Sequence, residues 1–175
     1  MAEYWIISMS TQRQQVTEKN IEIARRSIQA LNTGDVTKAS EFMHPDYFNH
    51  ESQASPERAK LRGPSEFIDT VQKLRAAFSD LHYEEQESIA SNDKVVSIMT
   101  VTGRHTGDFF GIPPSGRSFS YQAAHIVRIA DGKIIEHRAI RDDLKFMMQL
   151  GVIGAASPQY EPIFNAWKGM IKKGG

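Results

Sequence analysis

The spacing of the apolar residues changes near Leu81, and this change limits the possible folds more than any other feature. Before it, apolar residues recur at three- and four-residue steps over 11–31 and again after Gly63-Pro64. This predicts two amphipathic helices, with a shorter one over 35–43. After it, four runs read as strands separated by turns, at 81–90, 94–105, 117–129 and 133–142. Helices followed by a meander of antiparallel strands indicate an α+β fold.

The length and the charge balance exclude several classes of protein. A chain of 175 residues is expected to form one domain over 1–175. Lysine plus arginine equals aspartate plus glutamate at 21 each, so no net charge attracts nucleic acid. The absence of cysteine excludes disulfides and thiolate nucleophiles. The opening "MAEYWIISMS" has no basic leader and is too short to cross a bilayer, so we expect a cytoplasmic protein that does not bind membranes.

Asp131-Gly132 separates the last two strand-like runs and is typical of a two-residue hairpin loop. A regular hairpin around this turn places His125 opposite Arg138 and Tyr121 opposite Asp142. These four side chains then share one face with aliphatic residues nearer the turn. A face with an apolar half and a polar half predicts a pocket that holds an apolar small molecule and directs polar groups at one end of it.

The same register places His137 and Arg141 on the opposite face of the hairpin. Asp143 follows the strand and precedes an apolar run, so it is predicted to cap a helix, whereas Asp142 is predicted to lie in the pocket. An alternative stays open. Arg138 and Asp142, on one face of a strand, could form an ordinary ion pair on a solvated sheet.

Three histidines lie in or beside strand-like runs and are candidate site residues, namely His50, His105 and His125. A single strand histidine is more often a hydrogen-bonded structural residue than a catalyst. Their spacing is wide and irregular, so no metal site is predicted. The loop "GDFFGIPPSGR" lacks the lysine and the following helix of a phosphate loop. Its Phe110 and Ile112 are expected to form a pocket wall or a structured connection.

Four stretches, "FMHPDYFNHE", "GRHTGDFFGIPPSGRSFS", "HIVRIADGKIIEH" and "RDDLKFMMQLG", occur in an order that resembles the SnoaL-like polyketide cyclase family, also called ester-cyclase-like. The resemblance covers roughly residues 17–152 and leaves a C-terminal tail over 155–175. It implies the cone-shaped α+β barrel of the nuclear-transport-factor-2-like superfamily, in which a curved antiparallel sheet and three N-terminal helices enclose one deep pocket. It also implies a homodimer, and an intramolecular aldol cyclisation of a polyketide-like or ester substrate without a metal or an organic cofactor.

Carried over to this sequence, the family's acid/base aspartate falls on Asp142, and His50 and His105 match histidines that the family places at the pocket. His125 is placed there by geometry alone. In the implied reaction Asp142 removes a proton from a carbon between carbonyls, and His105 or His125 donates to the developing oxyanion. Arg138 departs from the family, since many relatives have tryptophan after "EH". The predicted substrate-binding residues are His50, Tyr121, Arg138, Phe110 and Ile112.

Two other classes of function stay open, because a fold does not settle function. One is a non-catalytic binding protein for an apolar small molecule, and the other is a hydrolase, isomerase or hydroxylase on the same fold. The face that carries Gln122, Ala124, Ile126, Ile135, His137 and Ala139 is expected to bury against a second subunit. The tail is expected to pack on the body or on the partner through Ile163, Trp167, Met170 and Ile171.

Overall fold

A computed structural model describes the backbone of residues 2–54 and 58–153, and the side chains of 14–52 and 59–153. The predicted tail contacts therefore lie outside the described residues. Helix α1 spans Ala2–Thr33 and contains the helix predicted over 11–31. It ends at Gly34, which adopts a positive φ of 77° and donates its N–H to the Ala30 carbonyl at 2.8 Å.

The second helix is shorter than the sequence pattern predicts. Helix α2 spans only Ala39–Phe42, because Asp35 does not cap it. The Asp35 carboxylate instead accepts hydrogen bonds from the backbone N–H and the hydroxyl of Thr37, at 2.9 and 2.6 Å, and so closes a local turn before the helix.

Strand β1, Met43–Asn49, follows α2 directly. Two short 3₁₀ helices, His50–Ala54 and Arg58–Lys60, lead into helix α3, which spans Gly63–Ala77 with Pro64 in its first turn. The remaining elements are β2 (Phe78–Ser91), β3 (Lys94–His105), β4 (Ser118–Ala130), β5 (Lys133–Arg141) and α4 (Asp143–Leu150).

The five strands form one sheet in the order β1-β5-β4-β3-β2. Neighbouring strands are antiparallel, except that β1 runs parallel to β5. Irregularities in the pairing of β2 with β3 and of β4 with β5 interrupt the ladder, and such bulges increase the twist and bend of a sheet. The predicted α+β fold with helices on a curved sheet is confirmed, and the sheet stays open, with β1 and β2 as its edges.

The hairpin of β4 and β5 contains a bulge that the sequence analysis missed. Ile129 pairs with Ile134 as a regular two-residue turn requires, but Arg128 pairs with Glu136, so β5 carries one extra residue at Ile135. Beyond this point the pairing is shifted by one, and His125 pairs with Ala139 rather than with Arg138. The predicted register is therefore wrong outside the first pairs, and every later side chain of β5 lies on the face opposite to the predicted one.

Two groups of buried side chains hold the helices against the concave face of the sheet. One joins α1, α2 and α3 to the turn end of the sheet through Ile23, Phe42, Met43, Phe67, Val71 and Ile134. The other joins α4 to β2, β3 and β4 through Phe78, Met99, Val101, Phe119, Tyr121 and Phe146. In the described part of the chain, no helix is both long enough and apolar enough to cross a bilayer.

Candidate active site

A cavity of about 590 Å³ lies between the helices and the concave face of the sheet. This volume lies within the range of sites that hold drug-sized ligands. Much of its wall is apolar, with contributions from Ile28, Leu31, Phe67, Leu74, Phe78 and Met99. Polar groups converge from β1, β4 and β5, namely Asn49, Tyr121, His125, His137 and Arg141.

The bulge at Ile135 determines which residues of β5 reach this cavity. Because the register shifts there, Val127 pairs with His137 and Ala123 pairs with Arg141, and the inward residues of β4 are thus flanked by inward residues of β5. His137 and Arg141, which were predicted to lie on the opposite face, line the cavity together with His125.

The two histidines form the centre of a part-buried hydrogen-bonded chain. His125 Nδ1 lies 2.9 Å from His137 Nε2, and His137 Nδ1 lies 3.0 Å from Asn49 Oδ1. The parallel pairing of β1 with β5 sets the second contact, because Asn49 and His137 are register partners. The residue His125 is partly exposed, whereas its Nε2 atom is buried and has no hydrogen-bond partner among the described residues.

The chain continues from Asn49 into helix α3. The Asn49 amide nitrogen donates to Glu66 Oε1 at 3.1 Å, and Thr70 Oγ1 donates to the same oxygen at 3.0 Å. Ser52 Oγ also donates to this oxygen. Glu66 is completely buried, and Asn49 is 4% exposed. This end of the chain is therefore held between the first strand and the third helix, away from solvent.

Burial shifts the pKa values of the histidines and tyrosines around the cavity. Desolvation, the neighbouring His137 and the Arg141 cation lower the pKa of His125 to about 3. Desolvation and Arg141 lower the pKa of His137 to about 4. Burial raises the pKa of Tyr121 to about 12 and raises the pKa of Tyr83 still further. At neutral pH both imidazoles are thus uncharged, and both phenols keep their protons.

Arg141 is the centre of an ion-pair cluster in the cavity lining. Its Nη2 lies 2.9 Å from Glu51 Oε2, and its Nε donates to Asp143 Oδ1 at 3.1 Å. The other Glu51 oxygen accepts the backbone N–H of Ala139 at 3.2 Å, which fixes the carboxylate against β5. One guanidinium thus faces two carboxylates, and the cluster carries no surplus positive charge.

The structure exchanges the positions predicted for the two adjacent aspartates. Asp142 is the N-cap of α4, and its Oδ1 accepts the backbone N–H of Lys145 at 3.0 Å. Asp143 begins the helix and lines the cavity beside Arg141. The bulge explains the exchange, because the register shift moves Asp143 to the inward side and Asp142 out of it.

The other predicted site residues are divided between the cavity and the rest of the molecule. Tyr121, His125 and Phe110 line the cavity, and Phe110 does so from the loop between β3 and β4. His105 is fully buried outside the lining, where its Nδ1 accepts the Ser115 N–H at 3.2 Å and so holds this loop.

Three more predicted residues also lie outside the cavity lining, namely His50, Arg138 and Ile112. His50 faces Glu136, with its Nε2 3.3 Å from Glu136 Oε2. Ile112 forms a bridge with Phe109 within the loop. Arg138 is exposed, as the shifted register requires. The open alternative of an ion pair between Arg138 and Asp142 has no counterpart among the ion pairs of the described residues.

Sequence reasoning missed Asn49, Glu51, Tyr83, His137 and Arg141 as cavity residues. Asn49 lies in "DYFNHE", which reads as a short strand, so the sequence indicates its place in the fold but not its contact with the cavity. The alternation along β5 gave no sign of the bulge, so His137 and Arg141 received the wrong face.

An open α+β sheet covered by helices, with a mainly apolar cavity and polar groups at one end, is typical of proteins that bind or convert small molecules. A family model described as SnoaL-like polyketide cyclase matches residues 21–150. The chain belongs to the SnoaL-like polyketide cyclase family.

Relatives of known function are methyl ester cyclases. The chain is 39% identical over 132 residues to aklanonic acid methyl ester cyclase DnrD of Streptomyces peucetius, a match that covers 75% of this chain and 90% of the relative. It is 37% identical over 125 residues to nogalonic acid methyl ester cyclase of Streptomyces nogalater, with 71% and 91% covered.

Solved structures share the fold. TsrD of Streptomyces laurentii is similar with a TM-score of 0.69 and 29% identity, over 78% of this chain and 97% of that one. IdmH of Streptomyces antibioticus is similar with a TM-score of 0.64 and 27% identity, over 75% and 98%.

Proposed function

We propose that this protein is a polyketide cyclase that closes a carbocycle in the methyl ester of a polyketide acid by intramolecular aldol reaction. The observation that carries the proposal is the neutral imidazole of His125, whose buried Nε2 has no hydrogen-bond partner among the described residues. Curated relatives that are 34–39% identical are cyclases of such methyl esters, which supports the substrate class.

In the first step, His125 removes a proton from a carbon that lies between two carbonyl groups. Its Nδ1 is engaged with His137, which leaves Nε2 as the nitrogen that accepts the proton. The low pKa of His125 reflects the cost of an isolated buried imidazolium. In the reaction the imidazolium and the enolate form together as a neutral ion pair, so this cost is offset by their attraction.

The phenols of the cavity supply hydrogen-bond donors to the enolate oxygen. Because burial raises their pKa values, Tyr121 and Tyr83 remain protonated and can donate to an oxyanion. Both side chains line the cavity, and the ring centroids of Tyr83 and His125 are 5.7 Å apart.

In the second step, the enolate carbon attacks another carbonyl carbon of the same molecule. A carbon–carbon bond forms, the attacked carbonyl becomes an alkoxide, and the proton on His125 Nε2 passes to that alkoxide. His125 returns to its neutral form, so the atoms and charges balance within one turnover. The apolar wall contributes by holding the flexible substrate folded, which for well-oriented reactants is worth up to about 10 kcal/mol.

The charge of the Arg141 cluster favours an esterified substrate. Glu51 and Asp143 already neutralise this guanidinium. A substrate carboxylate would meet two carboxylates and one cation, whereas a methyl ester adds no charge. This agrees with the methyl esters named for the relatives.

The proposal is tested by incubating the protein with aklanonic acid methyl ester, nogalonic acid methyl ester and the two free acids. Ring closure changes no mass, so products are separated by chromatography and identified by the loss of a ketone carbon in ¹³C spectra. We expect conversion of at least one ester and slower conversion of its acid. Tight binding of both esters without conversion would contradict the proposal and support a binding protein.

We further propose that the protein is a homodimer that pairs through the outer face of β4 and β5. The register correction replaces His137 and Ala139 on this face with Arg138 and Ile140, while Ala124 and Ile126 remain. Ile140 is 69% exposed in the single chain. Ile140 pairs with Ala124, and Ile126 lies on the same face, so the three side chains form an apolar patch that supports an interface.

A further inference from the structure

We propose that His137, Asn49 and Glu66 are positioning residues that hold His125 in the tautomer with its hydrogen on Nδ1 and its lone pair on Nε2. The inference rests on the proposed function only in that this lone pair serves the cyclase reaction. The tautomer itself can be observed without any substrate.

The hydrogen bonds from Glu66 to His125 have a defined donor-to-acceptor direction, because Glu66 at one end acts as an acceptor. Oε1 of Glu66 accepts hydrogen bonds from Ser52, Thr70 and Asn49. Because Ser52 and Thr70 already donate to this oxygen, it acts as an acceptor, and the side chain of Asn49 presents its NH₂ group to it.

A second contact requires the same orientation of the Asn49 amide. Its Oδ1 accepts the backbone N–H of Glu51 at 3.1 Å. If the amide were turned over, its NH₂ would face this N–H and its oxygen would face Glu66, so both contacts would be repulsive. The amide orientation is therefore required by two independent neighbours, and Oδ1 is also the atom that meets His137.

The hydrogen positions of both imidazoles follow from this orientation. Asn49 Oδ1 is an acceptor, so His137 carries its hydrogen on Nδ1. A neutral imidazole has one hydrogen, which leaves His137 Nε2 as an acceptor. His125 must then carry its own hydrogen on Nδ1, because Nδ1 is the atom that meets His137 Nε2 at 2.9 Å. The lone pair of His125 is left on Nε2.

This control matters because a neutral histidine in water prefers the other tautomer, with hydrogen on Nε2. In that form Nε2 cannot accept a proton, and Nδ1 would set its lone pair against that of His137. The chain thus opposes an intrinsic preference, and it spans β1, α3, β4 and β5, elements that the fold already holds together.

The experiment compares two substitutions of His137 in protein labelled with ¹⁵N-histidine. In His137→Gln the amide oxygen can accept from His125 while the amide nitrogen donates to Asn49, so the direction of the chain is kept. In His137→Leu the chain is broken. His82→Gln, which changes an exposed histidine, is the control for general effects of substitution. Comparison with His125→Asn assigns the His125 signals.

We expect Nε2 of His125 to give a pyridine-type ¹⁵N signal in the wild type and in His137→Gln, and a pyrrole-type or averaged signal in His137→Leu. With an accepted ester, kcat should fall roughly tenfold or more in His137→Leu while KM changes little, and His137→Gln should recover most of it. A wild-type His125 with hydrogen on Nε2, or an unchanged signal in His137→Leu, would overturn the inference. An ordered tautomer in a protein that converts no ester would instead overturn the proposed function and leave the positioning chain standing.

Discussion

The two part-buried histidines of the cavity should make the stability of the fold depend on pH in a defined direction. The pKa of His137 is about 4 in the folded protein, below the ordinary value of 6.5. Below pH 6.5 the unfolded chain therefore binds a proton that the folded chain does not, and folding stability is lost as the pH falls from 6.5 toward 4. Above pH 6.5 both states are neutral at this position, and its contribution is constant.

The magnitude follows from the two pKa values. Each pH unit of difference is worth about 1.4 kcal/mol, so the full contribution of His137 is about 3 kcal/mol, of which about 2 kcal/mol is lost between pH 7.5 and pH 5. His125 adds a loss of the same sign, although the two rings interact and their contributions do not simply add.

Urea unfolding followed by circular dichroism at pH 7.5 and pH 5 measures this loss. His137→Gln removes the titrating ring and keeps the hydrogen bonds, so its free energy of unfolding should fall by about 2 kcal/mol less than that of the wild type over this range. His82→Gln, at an exposed position, should follow the wild type. Equal losses in the wild type and His137→Gln would refute the argument that burial keeps this ring neutral.

Three further substitutions test other parts of the structure. Asp142→Ala should lower the free energy of unfolding by about 1 kcal/mol through loss of the α4 cap, with Asp142→Asn near wild type; equal melts of both would contradict the cap. Tyr121→Phe should lower kcat roughly tenfold through loss of an oxyanion donor without a change in melting temperature, and unchanged kcat would remove the phenol from the mechanism. Ile140→Lys should shift the mass seen by light scattering at micromolar concentration from dimer to monomer, and a monomeric wild type would contradict the proposed interface.

The α+β architecture could be predicted from the sequence because it depends on periodicities that are strong and local. The helix that ends at Gly34, the helix that begins beside Pro64 and the turn at Asp131-Gly132 all carry residues with specific backbone preferences. Helix α2 was overestimated because Asp35 can cap a helix or close a turn, and only the tertiary context decides between them.

The polar end of the cavity was predicted only in part, and one bulge accounts for most of the difference. Tyr121 and His125 lie on β4, which has no extra residue, and both reach the cavity as expected. Because of the one extra residue at Ile135, the predicted acid/base residue Asp142 faces solvent and His137 faces the cavity. Both faces of β5 carry a mixture of apolar and polar residues, so the alternation of residue types along the strand does not reveal where the bulge lies.

The role of Asn49 lay beyond sequence reasoning for a different reason. It meets His137 through a parallel pairing of strands that are far apart in the chain, and Glu66 through a helix that packs on the first strand. Contacts of this kind follow from the assembled fold rather than from local pattern.

The measurement that tests the central claim most directly is the turnover of His125→Asn on an ester that the wild type converts. Asparagine keeps a donor for His137 but has no basic lone pair, so the chain and the cavity are preserved while the proton acceptor is removed. We predict that kcat falls by roughly 10²- to 10⁴-fold with KM and melting temperature near those of the wild type. A variant that retains a third or more of the wild-type kcat would contradict the assignment of His125 as the base, and a parallel loss in Asp143→Asn would then identify Asp143 in its place.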